Sequence, residues 1–187
     1  MDGSGQKWTK RERIRRDSSQ STPAGPTPGQ TSGFAIGRNG ADDMFRGNHP
    51  TRVDEKGRLK MPAEFKRRVD EMYGPQFYIT STDGKRAQLY PLREWEKKEE
   101  LLAAMPASNP VRTRFLDVTS YYGQMAEMDA QGRLLLPQLL REEAKITAEV
   151  VVLGKQGILE VVNHDWFKNE VPPMSTEELA ALAEFGL

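Results

Sequence analysis

The chain writes one pattern twice. Residues 54–62 read DEKGRLKMP and residues 129–137 read DAQGRLLLP, both of the form Asp-x-x-Gly-Arg-Leu-x-x-Pro. A pattern repeated in one chain implies a repeated supersecondary unit, which restricts the fold more than any other feature here. Each position has a structural use. An Asp before a tight turn accepts backbone N–H groups, and Gly supplies positive φ without steric cost. An Arg four residues after the Asp is placed to pair with it across the turn. The Leu and the later apolar residue fill the interior, and the Pro ends a strand and opens a helix.

The same order of elements follows both copies. In the first half, TRVDEKGRLKMP predicts a hairpin and PAEFKRRVDEMY a helix, with Phe65, Val69 and Met72 on one face. QFYITST and AQLYPL predict strands around the turn DGKR, and REWEKKEELLAAM an amphipathic helix with Trp95, Leu102 and Met105 among its apolar positions. In the second half, GQMAEMDAQGRLLLP, PQLLREEAKI, EVVVLG, GILEVV and HDWFKNE give hairpin, helix, strand, strand and helix, with Trp166 in the place of Trp95. The stretch NPVRTRFLDVTSYY joins the halves, and STEELAALAEF predicts a C-terminal helix, with Ser175 and Glu178 at capping-box spacing. The repeat is about 70 residues long, strand-strand-helix-strand-strand-helix.

A chain of 187 residues holds one domain or two small ones. With 37% hydrophobic against 29% charged residues, each half has little to bury alone. Two such units are stable if they interlock, and oligomerisation would help further. The 27 basic and 27 acidic residues cancel, so only their local distribution bears on a polyanionic partner. There is no cysteine, which removes disulfides, thiolate metal sites and cysteine nucleophiles, and no apolar run approaches the roughly 20 residues of a membrane span.

Residues 1–43 differ from the rest. STPAGPTPGQTSG offers almost nothing to bury and predicts disorder, while the preceding KWTKRERIRR is basic with one Trp. That stretch reads as an auxiliary nucleic-acid arm or as a dispensable tail, and the abrupt onset of alternation at Met44 favours the tail. It has no apolar segment of the secretory kind.

The repeat also separates structure from function. What both copies share serves the fold: Asp54 and Asp129, Gly57 and Gly132, Arg58 and Arg133, Leu59 and Leu134, Pro62 and Pro137. What one copy alone carries is a candidate for function. The first copy has Arg46, Arg52, Lys56, Arg58, Lys60, Lys66, Arg67 and Arg68 against Asp54, Glu55 and Glu64. The matching stretch of the second has Arg133 and Arg141 against Glu127, Asp129, Glu142 and Glu143. A basic surface on a compact hairpin is a footprint of phosphate binding; the competing reading is a solvated charged face.

MFRG at 44–47, the two Asp-x-x-Gly-Arg turns, YPLREW at 90–95 and the second Trp together resemble the MraZ family of bacterial transcriptional regulators. The resemblance runs from Met44 almost to the C-terminus. It implies an α+β fold of two tandem AbrB-like swapped-hairpin units forming a pseudo-dimer. They would occupy residues 44–106 (DNA-binding) and 107–174, with a C-terminal helix over 175–187 and a disordered extension over 1–43. It implies ring-shaped homo-oligomers, often of eight subunits. The implied function is a cytoplasmic, nucleoid-associated repressor of the division and cell-wall gene cluster, its own gene included. The implied ligand is double-stranded DNA carrying short promoter direct repeats. The family's Asp-x-x-x-Arg signature falls on Asp54 and Arg58 and on Asp129 and Arg133, and its N-terminal Arg on Arg46. The DNA-binding set is then Arg46, Arg52, Lys56, Arg58 and Lys60, while Asp54, Gly57, Asp129, Gly132 and Arg133 hold the turns. The chain departs from the family at GNHPT, where Pro50 and His49 leave open on which side of Pro50 the first strand begins.

An enzyme is not expected. The two histidines, His49 and His164, lie in different halves without a Cys or Ser signature, and GRNG and DGKR are too short to cradle a phosphate. No cofactor or metal is expected. The other rival is a ring-forming scaffold that binds protein partners; unlike a regulator, it would show no salt-sensitive affinity for duplex DNA.

Overall fold

The computed structural model describes residues 44–187. The expectations for residues 1–43 lie outside the described residues. The first half contains β1 (Phe45–Val53), β2 (Arg58–Lys60), α1 (Ala63–Met72), β3 (Gln76–Thr80), β4 (Ala87–Pro91) and α2 (Leu92–Ala103). After α3 (Pro110–Tyr121) come β5 (Gln124–Glu127), β6 (Arg133–Leu135), α4 (Gln138–Glu143), β7 (Ala148–Gln156), β8 (Ile158–Asn163), α5 (His164–Glu170) and α6 (Thr176–Ala183). The repeat is thus present element for element.

The eight strands form one antiparallel sheet in the order β5-β3-β4-β8-β7-β1-β2-β6. Exchanging each strand with its repeat partner turns β5-β3-β4-β8-β7-β1 into its own reverse, so a pseudo-two-fold relation passes between β4 and β8. The halves do not fold side by side. The whole of β1 pairs with β7, from Phe45 opposite Gln156 to Val53 opposite Ala148. In mirror fashion β5 pairs with β3, and β2 lies against β6 with Leu59 opposite Leu134. The first and last strands of the order, β5 and β6, are consecutive in sequence, so the sheet wraps around its core.

That core belongs to both halves. Phe45, Leu59, Phe77, Ile79 and Leu89 meet Leu134, Leu136, Val152, Leu159 and Val161 in one buried cluster, which Phe65 and Val69 of α1 and Leu140 of α4 complete. Neither set would close alone, so this mutual burial holds the repeat together. On the outer side of β3 and β4, Trp95 of α2 stacks on Tyr78 at 4.2 Å, meets Tyr90 at 5.1 Å and lies 6.5 Å from Phe115 of α3. Trp166 instead receives the Arg86 guanidinium 5.6 Å from its ring centroid.

Several boundaries differ from the sequence reading, for identifiable reasons. The first strand starts before Pro50. Until Val53, β1 has a strand partner only on its β7 side, and an open side tolerates a residue that lacks an N–H. His49 is accounted for by packing edge-on to Phe65, with ring centroids 4.7 Å apart. The joining segment is itself a helix, α3: the Asn109 side chain accepts the N–H groups of Val111 and Arg112, and Pro110 occupies the first turn. Helix α4 stops at Glu143, and Lys145 at φ 52° turns the chain so that Ile146 is buried. The capping box of α6 is present, with both Ser175–Glu178 bonds made.

Candidate nucleic-acid interface

The turn of the first hairpin is organised by one carboxylate. Asp54 Oδ1 accepts the N–H groups of Lys56 (3.0 Å) and Arg58 (2.8 Å). Its Oδ2 receives Arg58 Nε at 2.8 Å and Nη2 at 2.7 Å. Gly57, at φ 77°, donates its N–H to the Asp54 carbonyl at 2.8 Å. The second turn repeats this nearly atom for atom. Asp129 Oδ1 accepts Gln131 and Arg133 N–H groups, both at 2.9 Å, Oδ2 accepts Arg133 Nε at 2.7 Å, and Gly132 has φ 73°. The Arg58 side-chain bond is the main cause holding the Asp54 carboxyl below the usual carboxylate range, and the Arg133 backbone N–H is the main cause for Asp129. Arg58 and Arg133 are also equally exposed, at 32% and 31% of the side chain, so geometry alone does not distinguish them.

Their surroundings do. An open groove of about 750 Å³ lies at the first turn, lined by Arg52, Lys56, Arg58, Lys60 and Arg133 together with Asp54 and Glu55. Arg52 meets Glu149 at 2.8 Å, with both side chains largely exposed. Such a pair is weak in water and readily exchanged for another anion. The Lys60 ammonium donates to the Gln131 carbonyl, which fixes its position and leaves its charge unneutralised. Lys56 stands exposed at the tip of the turn. Among the described residues no group of three or more His, Cys, Asp or Glu is placed to hold a metal ion, and no helix is long and apolar enough to cross a membrane.

Four of the five residues expected to meet DNA therefore line one groove. Arg46 does not. It sits near the other end of β1, opposite Lys155, and the six residues to Arg52 span about 20 Å of strand. Two residues of the second half enter where sequence reasoning did not place them. The β2–β6 register sets Arg133 opposite Lys60 and so brings it into the groove of the first turn. Arg141 of α4 lies directly behind Gly57. No local signal marks either arrangement, because both depend on which strand pairs with β2.

The family model described as "MraZ protein, putative antitoxin-like" matches residues 44–118 and 124–181. A protein of Acidobacterium capsulatum named "Transcriptional regulator MraZ" is 66% identical over 146 residues, covering 77% of this chain and all of the relative. A protein of the same name from Koribacter versatilis is 51% identical over 147 residues, with 77% and 100% covered. One from Neisseria meningitidis is 35% identical over 129 residues, with 68% and 85% covered. The doubled match, the tandem repeat and the paired Asp-x-x-Gly-Arg turns agree: the chain belongs to the MraZ family of transcriptional regulators.

Proposed function

We propose that the chain regulates transcription by binding double-stranded DNA through the basic groove of its first turn. The observation that carries this is the convergence of Arg52, Lys56, Arg58 and Lys60 on one open concave surface in a chain whose relatives are named transcriptional regulators. Phosphates would displace Glu149 from Arg52 and engage Lys56 and Lys60, while Arg58 keeps one guanidinium edge on Asp54 and turns the other to the DNA. Arg46, on a distant part of β1, would meet a separate phosphate. Arg133 is assigned chiefly to holding its own turn with Asp129.

The units at 44–106 and 107–174 are proposed to be AbrB-like swapped hairpins, a reading supported by the exchange of β1 and β5 between halves. The regulator is proposed to act as a ring oligomer of about eight copies, in the cytoplasm at the nucleoid. It would repress the division and cell-wall gene cluster and its own gene through short direct repeats, as the family resemblance implies. A single small groove makes few contacts, whereas a ring holds many grooves at set separations. A second engagement then becomes intramolecular and raises apparent affinity by roughly a hundredfold or more where the geometry fits.

The test is a gel shift with the DNA upstream of the chain's own gene, titrated with salt and repeated on operators with inserted spacers. Salt-sensitive binding that drops when half a turn, about 5 base pairs, is inserted between repeats is the expected result. Affinity indifferent to both spacer and repeat number would overturn the ring mechanism. Absence of salt-sensitive binding would favour the protein scaffold.

A further inference from the structure

The first turn is backed by the second half of the chain. Gly57 is buried, and its carbonyl accepts the Leu136 N–H at 3.0 Å. Arg141, one helical turn into α4, donates from Nε to the Leu136 carbonyl at 3.2 Å. This bond lays the guanidinium flat against Gly57: a Cβ built there would fall 2.4 Å from Arg141 Cζ and 2.6 Å from Nε. A small residue at 57 and a planar side chain at 141 thus fit as a pair.

The mirror contact is of another kind. The Gly132 carbonyl accepts the Met61 N–H at 2.8 Å, and the residue over Gly132 is Lys66, at the position in α1 that Arg141 holds in α4. There only the aliphatic stem packs, 2.8 Å from the built Cβ at Cδ, and the ammonium is bound by Asp70, four residues further on. Four residues after Arg141 stands Lys145, so no acid occupies that place. The second turn is covered by a flexible stem whose charge is spent on its own helix. The first is covered by a rigid, permanently charged plane.

We propose that Arg141 is a positioning residue for DNA binding: acting through Gly57, it holds the first turn in the shape that presents Lys56 and Arg58. The reading surface is then composite, its contacts coming from the first half and its backing from the second. This rests on the DNA-binding reading above. It accounts for a recognition turn only five residues long holding its form without a large buried base, since loop tips without backing open readily.

The experiment compares the full chain with Arg141→Ala, Arg141→Lys and Lys66→Ala. The readouts are amide hydrogen exchange at Gly57 and Gly132 and binding of a duplex from upstream of the chain's own gene. Expected for Arg141→Ala is faster exchange at Gly57 with Gly132 unchanged, and affinity lower by about tenfold. Lys66→Ala should do the reverse in exchange and leave affinity nearly intact. Arg141→Lys should restore part of both losses, because its stem still covers Gly57; this variant decides the matter if Arg141→Ala does not fold. Unchanged Gly57 exchange would overturn the proposal. So would loosened Gly57 with undiminished affinity, or lost affinity with Gly57 unmoved, which would make Arg141 a direct contact. If the unaltered chain binds no DNA while Arg141→Ala still frees Gly57, the DNA reading fails and the backing stands as a structural fact.

Discussion

The turns at 54–58 and 129–133 are the same object in different company. Each has one Asp gathering two backbone N–H groups and a guanidinium, one Gly at positive φ, and one Leu buried beneath. Around this frame, Arg52 of the first corresponds to Glu127 of the second, Lys56 to Gln131, and Lys60 to the exposed Leu135. The backbone device is kept where the fold needs it, and the residues that need not pack are where the halves part. The shared residues hold the frame, and the unshared ones give the first turn its added basic charge.

The sharpest way to test the sameness is in the core. Leu59→Ala and Leu134→Ala remove fully buried, directly opposed side chains and should each cost about 2–5 kcal/mol in urea denaturation. The two losses should lie close together, and a wide gap between them would mean that the halves do not share one core. Next in size are the glycines. Ala at Gly57 or Gly132 forces a side chain into the left-handed region at roughly 1–2 kcal/mol. Gly57→Ala should lose more than Gly132→Ala, because it must displace a planar guanidinium held by Leu136 rather than the flexible stem of Lys66.

The difference between the turns is tested on DNA. Arg58→Ala and Lys56→Ala should each weaken binding by about tenfold, or about 1.4 kcal/mol. Each should also flatten the slope of log affinity against log salt by about one unit, and leave the molecular mass in solution unchanged. Arg133→Ala should lower the melting temperature and leave the slope nearly unchanged. Because Arg133 borders the same groove, an equal loss from Arg58→Ala and Arg133→Ala at matched stability would show that both turns meet DNA.

The smallest effect is in pH, and there the turns should behave alike. Asp54 and Asp129 are both held below the ordinary carboxylate value, so the stability they contribute is complete above about pH 4 and is lost as pH falls through their depressed folded values. Asp54→Asn and Asp129→Asn should each shift the urea midpoint at pH 7, and the shift should fade at pH 3. A loss already beginning near pH 6 would point to a different titrating group.

Much of this was legible in the chain. The doubled pattern announced the repeat, and the turn chemistry of Asp, Gly and Arg followed from side-chain length and backbone freedom alone. The basic bias of the first copy was plain from a charge count. Less visible was α3, whose Asn109–Pro110 start is a helix signal inside a stretch with little apolar contrast. The path of β1 through Pro50 was open for the same kind of reason, since a proline is forbidden or tolerated according to what lies beside it.

What the sequence determined by itself is local: the turns, the helix starts and the alternation along strands such as β1, because these depend on residues within a few positions of one another. What only the tertiary structure decided is which half completes which. Pairing β1 with β7 and β2 with β6 moves Arg133 beside Lys60 and sets Arg141 behind Gly57, so charges counted with the second turn come to stand at the first. Strand pairing rests on backbone groups that every residue but proline carries in full, and the burial that selects one pairing is summed over both halves at once; no single stretch of sequence contains it.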